Sequence, residues 1–176
     1  MSIEVILQDC CNEGRLVRLE PLIPAANRPR VVYATPEVAS QLSEETADDE
    51  FADSYAALRN RLDSFIIGRV VMVGNRTSKT ADWKRLDPPS DEVWEMRKRE
   101  KPGVRVFGRF IMKDVFFASG IRLTSELFLI NDWIWKQEIR NCKAAWTRIF
   151  HTYQPLHGDT VDDYISNAHR ESILNR

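Results

Sequence analysis

The sequence predicts an α+β fold in which an antiparallel β-meander is packed by an N-terminal helical pair and a C-terminal amphipathic helix. Three observations predict it. Residues 93–119 alternate apolar and polar side chains over three short runs joined by tight turns. Residues 35–65 hold a capped helix start and an apolar stripe at spacings of three and four. Residues 131–153 carry a longer stripe of the same period.

In chain order, Ile3–Leu7 alternates enough for a short strand, and Arg15–Glu20 pairs with it as a hairpin through Asn12-Glu13-Gly14. Pro21, Pro24 and Pro29 mark a loop before the strand-like Val31–Tyr33. Thr35-Pro36-Glu37 supplies a capping hydroxyl, a proline at the first helical position and an acid in the first turn, so a helix runs to Gln41. A second helix spans Asp48 to Phe65, with Phe51, Tyr55, Leu58, Leu62 and Phe65 on one stripe. Its acidic start (Glu44, Glu45, Asp48, Asp49, Glu50, Asp53) suits the positive end of the helix dipole. Gly68 and Gly74 bracket Arg69–Val73, a strand or buried connector, and residues 75–92 read as a loop anchored by Trp83 and Leu86.

Val93–Arg99 places Trp94 and Met96 on one face and Glu95, Arg97 and Arg99 on the other. Lys101-Pro102-Gly103-Val104 reads as a type II turn. In Val104–Met112, the residues Val104, Val106, Phe110 and Met112 share a face, and Arg105, Phe107, Arg109, Ile111 and Lys113 share the opposite one. A turn at Lys113-Asp114 leads into Val115–Ser119. The last long helix starts at Asn131-Asp132 and carries Trp135, Ile139, Cys142, Trp146, Ile149 and Tyr153 as a seam, with Lys136, Arg140 and Lys143 along another side; Pro155 ends it. Gly158-Asp159-Thr160 caps a short helix bearing Val161, Tyr164, Ile165 and Ala168, and the tail beyond frays. The organisation is one domain: residues 1–34 as N-terminal strands and loop, 35–155 as the core, and 156–176 as a C-terminal extension.

Composition narrows the function. The 176 residues carry a net charge of −1, so attraction to a polyanion must come from local segregation of charge. The apolar runs around Phe65–Val73 and Leu127–Ile134 are too short or too interrupted to cross a bilayer, and the N-terminus lacks a signal-peptide pattern. Cys10, Cys11 and Cys142, an odd set with two adjacent, fit a reducing compartment, so a cytoplasmic location is expected. No phosphate loop, nucleophile elbow or paired metal-ligand motif occurs, which implies neither cofactor nor metal. His151, His157 and His169 all lie in the C-terminal quarter and read as surface or capping residues.

The meander does segregate charge. Arg97, Arg99, Arg105, Arg109 and Lys113 fall on one side, interleaved with Phe107, and Arg122 follows the last strand. Guanidinium forks suit phosphate contacts, and an interleaved aromatic offers an unpaired base a stacking surface. The plain alternative is a wet sheet face on which Glu95 and Glu100 pair with these arginines.

Val93-Trp94-Glu95-Met96-Arg97, Val104-Arg105-Val106-Phe107 and Asp114-Val115-Phe116-Phe117-Ala118, in this order behind a helical pair, resemble the core of the RelE/HigB-like toxins of the RelE/ParE superfamily. The resemblance covers residues 35–150 in organisation. It implies a compact, metal-independent endoribonuclease that acts on RNA or the ribosome, cleaves mRNA and is held by an antitoxin protein. Carried over by position, Arg97 and Arg105 are the arginines that contact RNA phosphate and stabilise its charge. Arg99, Phe107, Arg109, Lys113 and Arg122 complete the expected RNA-binding set. Where many such toxins have a Phe and paired lysines after the last strand, Ser119-Gly120-Ile121-Arg122-Leu123 stands here, without a His, Tyr or Glu for proton transfer. The rival expectation is a non-enzymatic, phage-derived regulatory or adaptor module that docks a partner through the acidic helix start or the Trp135/Trp146 seam.

Overall fold

The expected meander forms the middle of a larger sheet. In the structure, a computed structural model that describes residues 2–43, 51–74, 77–128 and 133–170, the three strands are β5 (Trp94–Lys98), β6 (Val104–Met112) and β7 (Val115–Leu123). Numbered in chain order, the other strands are β1 (Val17–Arg18), β2 (Val31–Ala34), β3 (Val71–Gly74), β4 (Trp83–Arg85) and β8 (Ala168–Arg170). The eight lie in one mixed sheet of order β1-β2-β7-β6-β5-β4-β3-β8. The β2–β7, β3–β4 and β3–β8 pairs are parallel and the rest antiparallel. The fold is therefore mixed α/β, with the antiparallel part confined to the centre and one edge pair.

Two layers of helix cover the sheet. On one face lie α2 (Pro36–Gln41) and α3 (Ala52–Ile66), whose Val38, Leu58, Leu62 and Phe65 pack with Trp83, Trp94, Met96, Val106, Phe110 and Phe116. Thr35 caps α2 as expected, its hydroxyl accepting from Val38 N at 3.3 Å. The predicted acidic start of α3, residues 44–50, lies outside the described residues. On the other face, α1 (Ile3–Asn12) and, after the short α4 (Thr124–Leu127), α5 (Trp133–Phe150) bury Ile3, Leu7, Cys10, Trp146, Ile149 and Phe150 against Ile111 and Phe117. The expected start of α5 at Asn131-Asp132 is likewise outside the described residues. Each large apolar side chain so buried contributes about 1.5–3 kcal/mol relative to exposure.

Several expectations are corrected. Ile3–Leu7 is helical, because Ile3, Leu7 and Cys10 recur at a spacing of four and three, a period that a five-residue window cannot separate from alternation. No hairpin joins it to β1, which pairs instead with β2 through Val17↔Ala34; Gly14 leaves the helix at φ +70°. The 75–92 segment is not all loop, since Trp83–Arg85 joins β5 antiparallel with Trp83 in the core. The turn before β6 is not type II: Gly103 takes no positive φ, and its small size is needed because a Cβ there would lie 2.6 Å from Thr124 Oγ1. Met112 faces the α1 side rather than the Phe110 side, because the ladder slips between Phe110 and Met112. A second slip follows Phe107, where a Cβ on Gly108 would collide with the Phe117 carbonyl and the Phe116 ring.

Past Ala168, where the sequence predicts fraying, the chain stays in a strand as far as Arg170, and residues 171–176 lie outside the described residues. The C-terminal extension forms α6 (Val161–Tyr164) and then β8 beside β3, and Tyr164 and Ile165 enter the core. Buried Arg30 helps to fix it, donating to the carbonyls of Phe65, Arg69 and Ser166. The N-terminal segment is also integral, supplying a helix and two strands to the same sheet. No helix of the described residues is long and apolar enough to cross a membrane.

Candidate functional site

Alternation along β5 and β6 turns Glu95, Arg97, Arg105 and Phe107 to the face opposite Trp94, Met96 and Val106. Antiparallel register then places Arg97 opposite Arg105 and Arg105 opposite Arg122, a row of three guanidiniums across β5, β6 and β7. One residue-pair along, Glu95 stands between Lys84 on β4 and Phe107 on β6.

This row is covered rather than open. Arg97 and Glu95 are almost wholly buried, and the Arg105 side chain is 12% exposed. Arg97 donates to the carbonyl of Ser78 at 3.3 Å and to that of Ala81, so the segment before β4 lies over it. From the other side, the Trp135 indole of α5 meets Phe107 edge-on, with centroids 5.5 Å apart. Between these covers the polar groups are poorly matched. Glu95 lies 3.8 Å from Arg97 Nε and 4.0 Å from Arg105 Nε, too far for hydrogen bonds. Arg97 Nε, Arg105 Nε, Arg105 Nη1 and Glu95 Oε2 are buried without a hydrogen-bond partner. An orphaned buried donor costs about 1–3 kcal/mol.

Burial pushes the Glu95 carboxyl above its ordinary value, opposed by the nearby charges of Arg105, Arg97 and Lys84 in that order. Burial likewise lowers Arg105 and Arg97, with Glu95 opposing. The covered row thus carries surplus positive charge and unmet N–H donors, which an oxyanion would satisfy. A carboxyl whose proton is held more tightly beside two guanidiniums can also move a proton at a phosphate ester. Solvent reaches the end of the row at Arg122, which is exposed, donates to Glu138 Oε1 at 2.9 Å and lines a groove of about 390 Å³ with Ser119, Gly120, Glu138, Asn141 and Arg148.

The expected RNA-binding set divides accordingly. Arg97, Arg105 and Arg122 come together, and Arg99 sits exposed at the margin, 3.9 Å from Asp82. Phe107 is fully buried beneath Trp135 and has no ring face for a base. Arg109 is a structural anchor, holding the Asp91 carbonyl through Nε at 3.2 Å and through Nη2, and lying 5.4 Å over the Trp146 ring. Lys113 is exposed in the β6–β7 turn, about 26 Å along the strand from Arg105. The single open arginine face that alternation suggested is therefore not formed, because helix α5 and the segment before β4 pack onto it. The sequence presents Glu95 only as a counter-ion; its alternation with Trp94 is visible there, and its burial is not.

A second polar hub lies elsewhere. The buried Glu92 carboxylate accepts from Tyr164 Oη at 2.7 Å and Arg85 Nη2 at 2.5 Å, with His157 Nδ1 lying 2.5 Å from it, which ties the C-terminal segment down. Among the described residues no group of three His, Cys, Asp or Glu side chains is placed to hold a metal ion. Compared with protein-family models, with curated proteins and with solved structures, the chain shows no match.

Proposed function

We propose that this chain is an RNA-binding protein of the RelE/HigB-like kind that acts on RNA or the ribosome. It holds a phosphate on Arg97, Arg105 and Arg122, and Glu95 serves as the proton-transfer group for mRNA cleavage. The observation that carries this reading is the set of unpaired donors on Arg97 and Arg105 beside a single carboxyl. The helical pair preceding the three-strand meander is the organisation the resemblance implies. Entry of an RNA phosphate requires the cover over Arg97 to lift, with Arg122 as the point of first contact. The reading makes an antitoxin protein the expected partner and the cytoplasm the expected location.

The test measures RNA binding, RNA cleavage and growth inhibition by the full chain, with Arg122→Gln, Arg105→Gln and Glu95→Gln. Each arginine variant is expected to weaken RNA binding about tenfold, and Glu95→Gln to abolish cleavage while retaining binding. Wild-type behaviour in all three variants overturns the proposal. Arg122 is exposed, so its variant remains informative even where Arg105→Gln disturbs folding.

A second reading, a non-enzymatic regulatory or adaptor module, has one observation in its favour. Strand β2 pairs with β7 only as far as Ala118, so Ser119–Leu123 has no strand on that side among the described residues and borders the groove. An extended partner peptide can add to such an edge. The Trp135/Trp146 seam is not available for docking, since Trp146 is buried and Trp135 lies on Phe107.

A further inference from the structure

We propose that the outer face of α5 and the aromatic tip beside it form a track for single-stranded RNA, distinct from the buried arginine row. The inference rests on the reading of the chain as an RNA-binding protein but uses other residues. Phe128 and Trp133 are 65% and 54% exposed, a large apolar surface that the core does not use. Trp135 meets both Phe128, at 6.2 Å between centroids, and Phe107, at 5.5 Å, so the tip adjoins the covered arginines. From Trp133, Lys136 and Arg140 follow at spacings of three and four, which puts them on one helix face, and both are exposed.

Within α5 basic side chains outnumber acidic ones. Helix α5 carries Lys136, Arg140, Lys143 and Arg148 against one acid, Glu138, and that acid is buried and turned toward Arg122. Lys143 is engaged with Asp91 at 2.5 Å, whereas Arg140 bonds only the neutral Gln137 at 2.8 Å. In a chain of net charge −1, such a stripe is the local segregation a polyanion requires. Exposed aromatics at its end select for unpaired bases, because every base has a flat face and stacking on an aromatic is worth about 1–3 kcal/mol per base. A duplex keeps its bases stacked on each other and cannot use the tip.

The experiment titrates the full chain with an unstructured RNA of about twelve nucleotides, with a duplex of equal length, and with inorganic phosphate. The double variant Phe128→Ala/Trp133→Ala is expected to weaken single-strand binding at least tenfold and to leave phosphate binding unchanged. Lys136→Gln/Arg140→Gln is expected to reduce the slope of log affinity against log salt by about 1.4, the value for two lost single-strand phosphate contacts. These positions are exposed, and denaturant curves verify that both variants stay folded. Unchanged single-strand affinity in both double variants overturns the proposal, as does equal affinity of the wild type for the duplex or no RNA binding at all. Weakening in these variants but not in Arg105→Gln upholds the track and removes the inner phosphate site; the reverse pattern upholds the inner site and removes the track.

Discussion

Arg97 and Arg105 face each other directly across β5 and β6, like charges in register, and the carboxyl of Glu95 reaches toward both without a hydrogen bond to either. Like charges directly opposite destabilise a sheet pair. The two backbone carbonyls that Arg97 engages offset part of this, but Arg105 keeps two unbonded donors. On the proposed function, a bound oxyanion would supply the missing partner.

Inorganic phosphate or pyrophosphate is therefore expected to stabilise the protein. At a concentration of about one hundred times the Kd, the gain is about 2.7 kcal/mol, read as a rise in Tm. Arg105→Gln is expected to abolish the shift. A wild-type Tm indifferent to these anions would count against the site.

Glu95 gives a pH dependence with a definite sign. Its folded pKa is raised by burial, so the folded state holds this proton more tightly than the unfolded state does. The group's contribution to stability is fully present below the unfolded value of 4.5 and is lost as pH rises through the folded value. Urea titrations from pH 4 upward are expected to show the wild type losing stability relative to Glu95→Gln. Parallel curves would show that Glu95 ionises normally.

Arg109→Met is expected to cost about 2–4 kcal/mol by denaturant unfolding. It leaves the half-buried Asp91 carbonyl without its two guanidinium donors and removes the cation over Trp146. Where the variant is folded, RNA affinity is expected to be unchanged, which separates this arginine from Arg105.

Thiol reactivity follows from burial. Cys142 is pushed up to about 11 by desolvation, and Cys10 is also buried, so neither presents a thiolate at neutral pH. An aromatic disulfide reagent is expected to label Cys11 first in the native protein, and the other two only on unfolding.

What the sequence disclosed depended on how local the cause was. The alternation of Trp94, Glu95, Met96 and Arg97, the Thr35 cap and the α5 seam are decided by neighbours within a few residues, and each was legible. Strands β4 and β8 are three residues long and exist because distant strands pair with them, so no local pattern announces them. Whether a guanidinium is open or covered is likewise a tertiary matter. Arg97 is closed off by the carbonyls of Ser78 and Ala81, and Arg109 by Trp146, partners that strand periodicity does not name. The proton-transfer candidate is hidden in the sequence for the same reason, since only enclosure distinguishes Glu95 from any other carboxylate on a strand.

The position of β8 has a consequence for synthesis. Strand β8 is made well after β3, which it borders through Val71↔Ala168, and Arg30 meets the Ser166 carbonyl 136 residues further along the chain. A nascent chain consequently carries an uncovered β3 edge, and an Arg30 short of one of its three carbonyl acceptors, until β8 has emerged, so this side of the sheet closes late in synthesis.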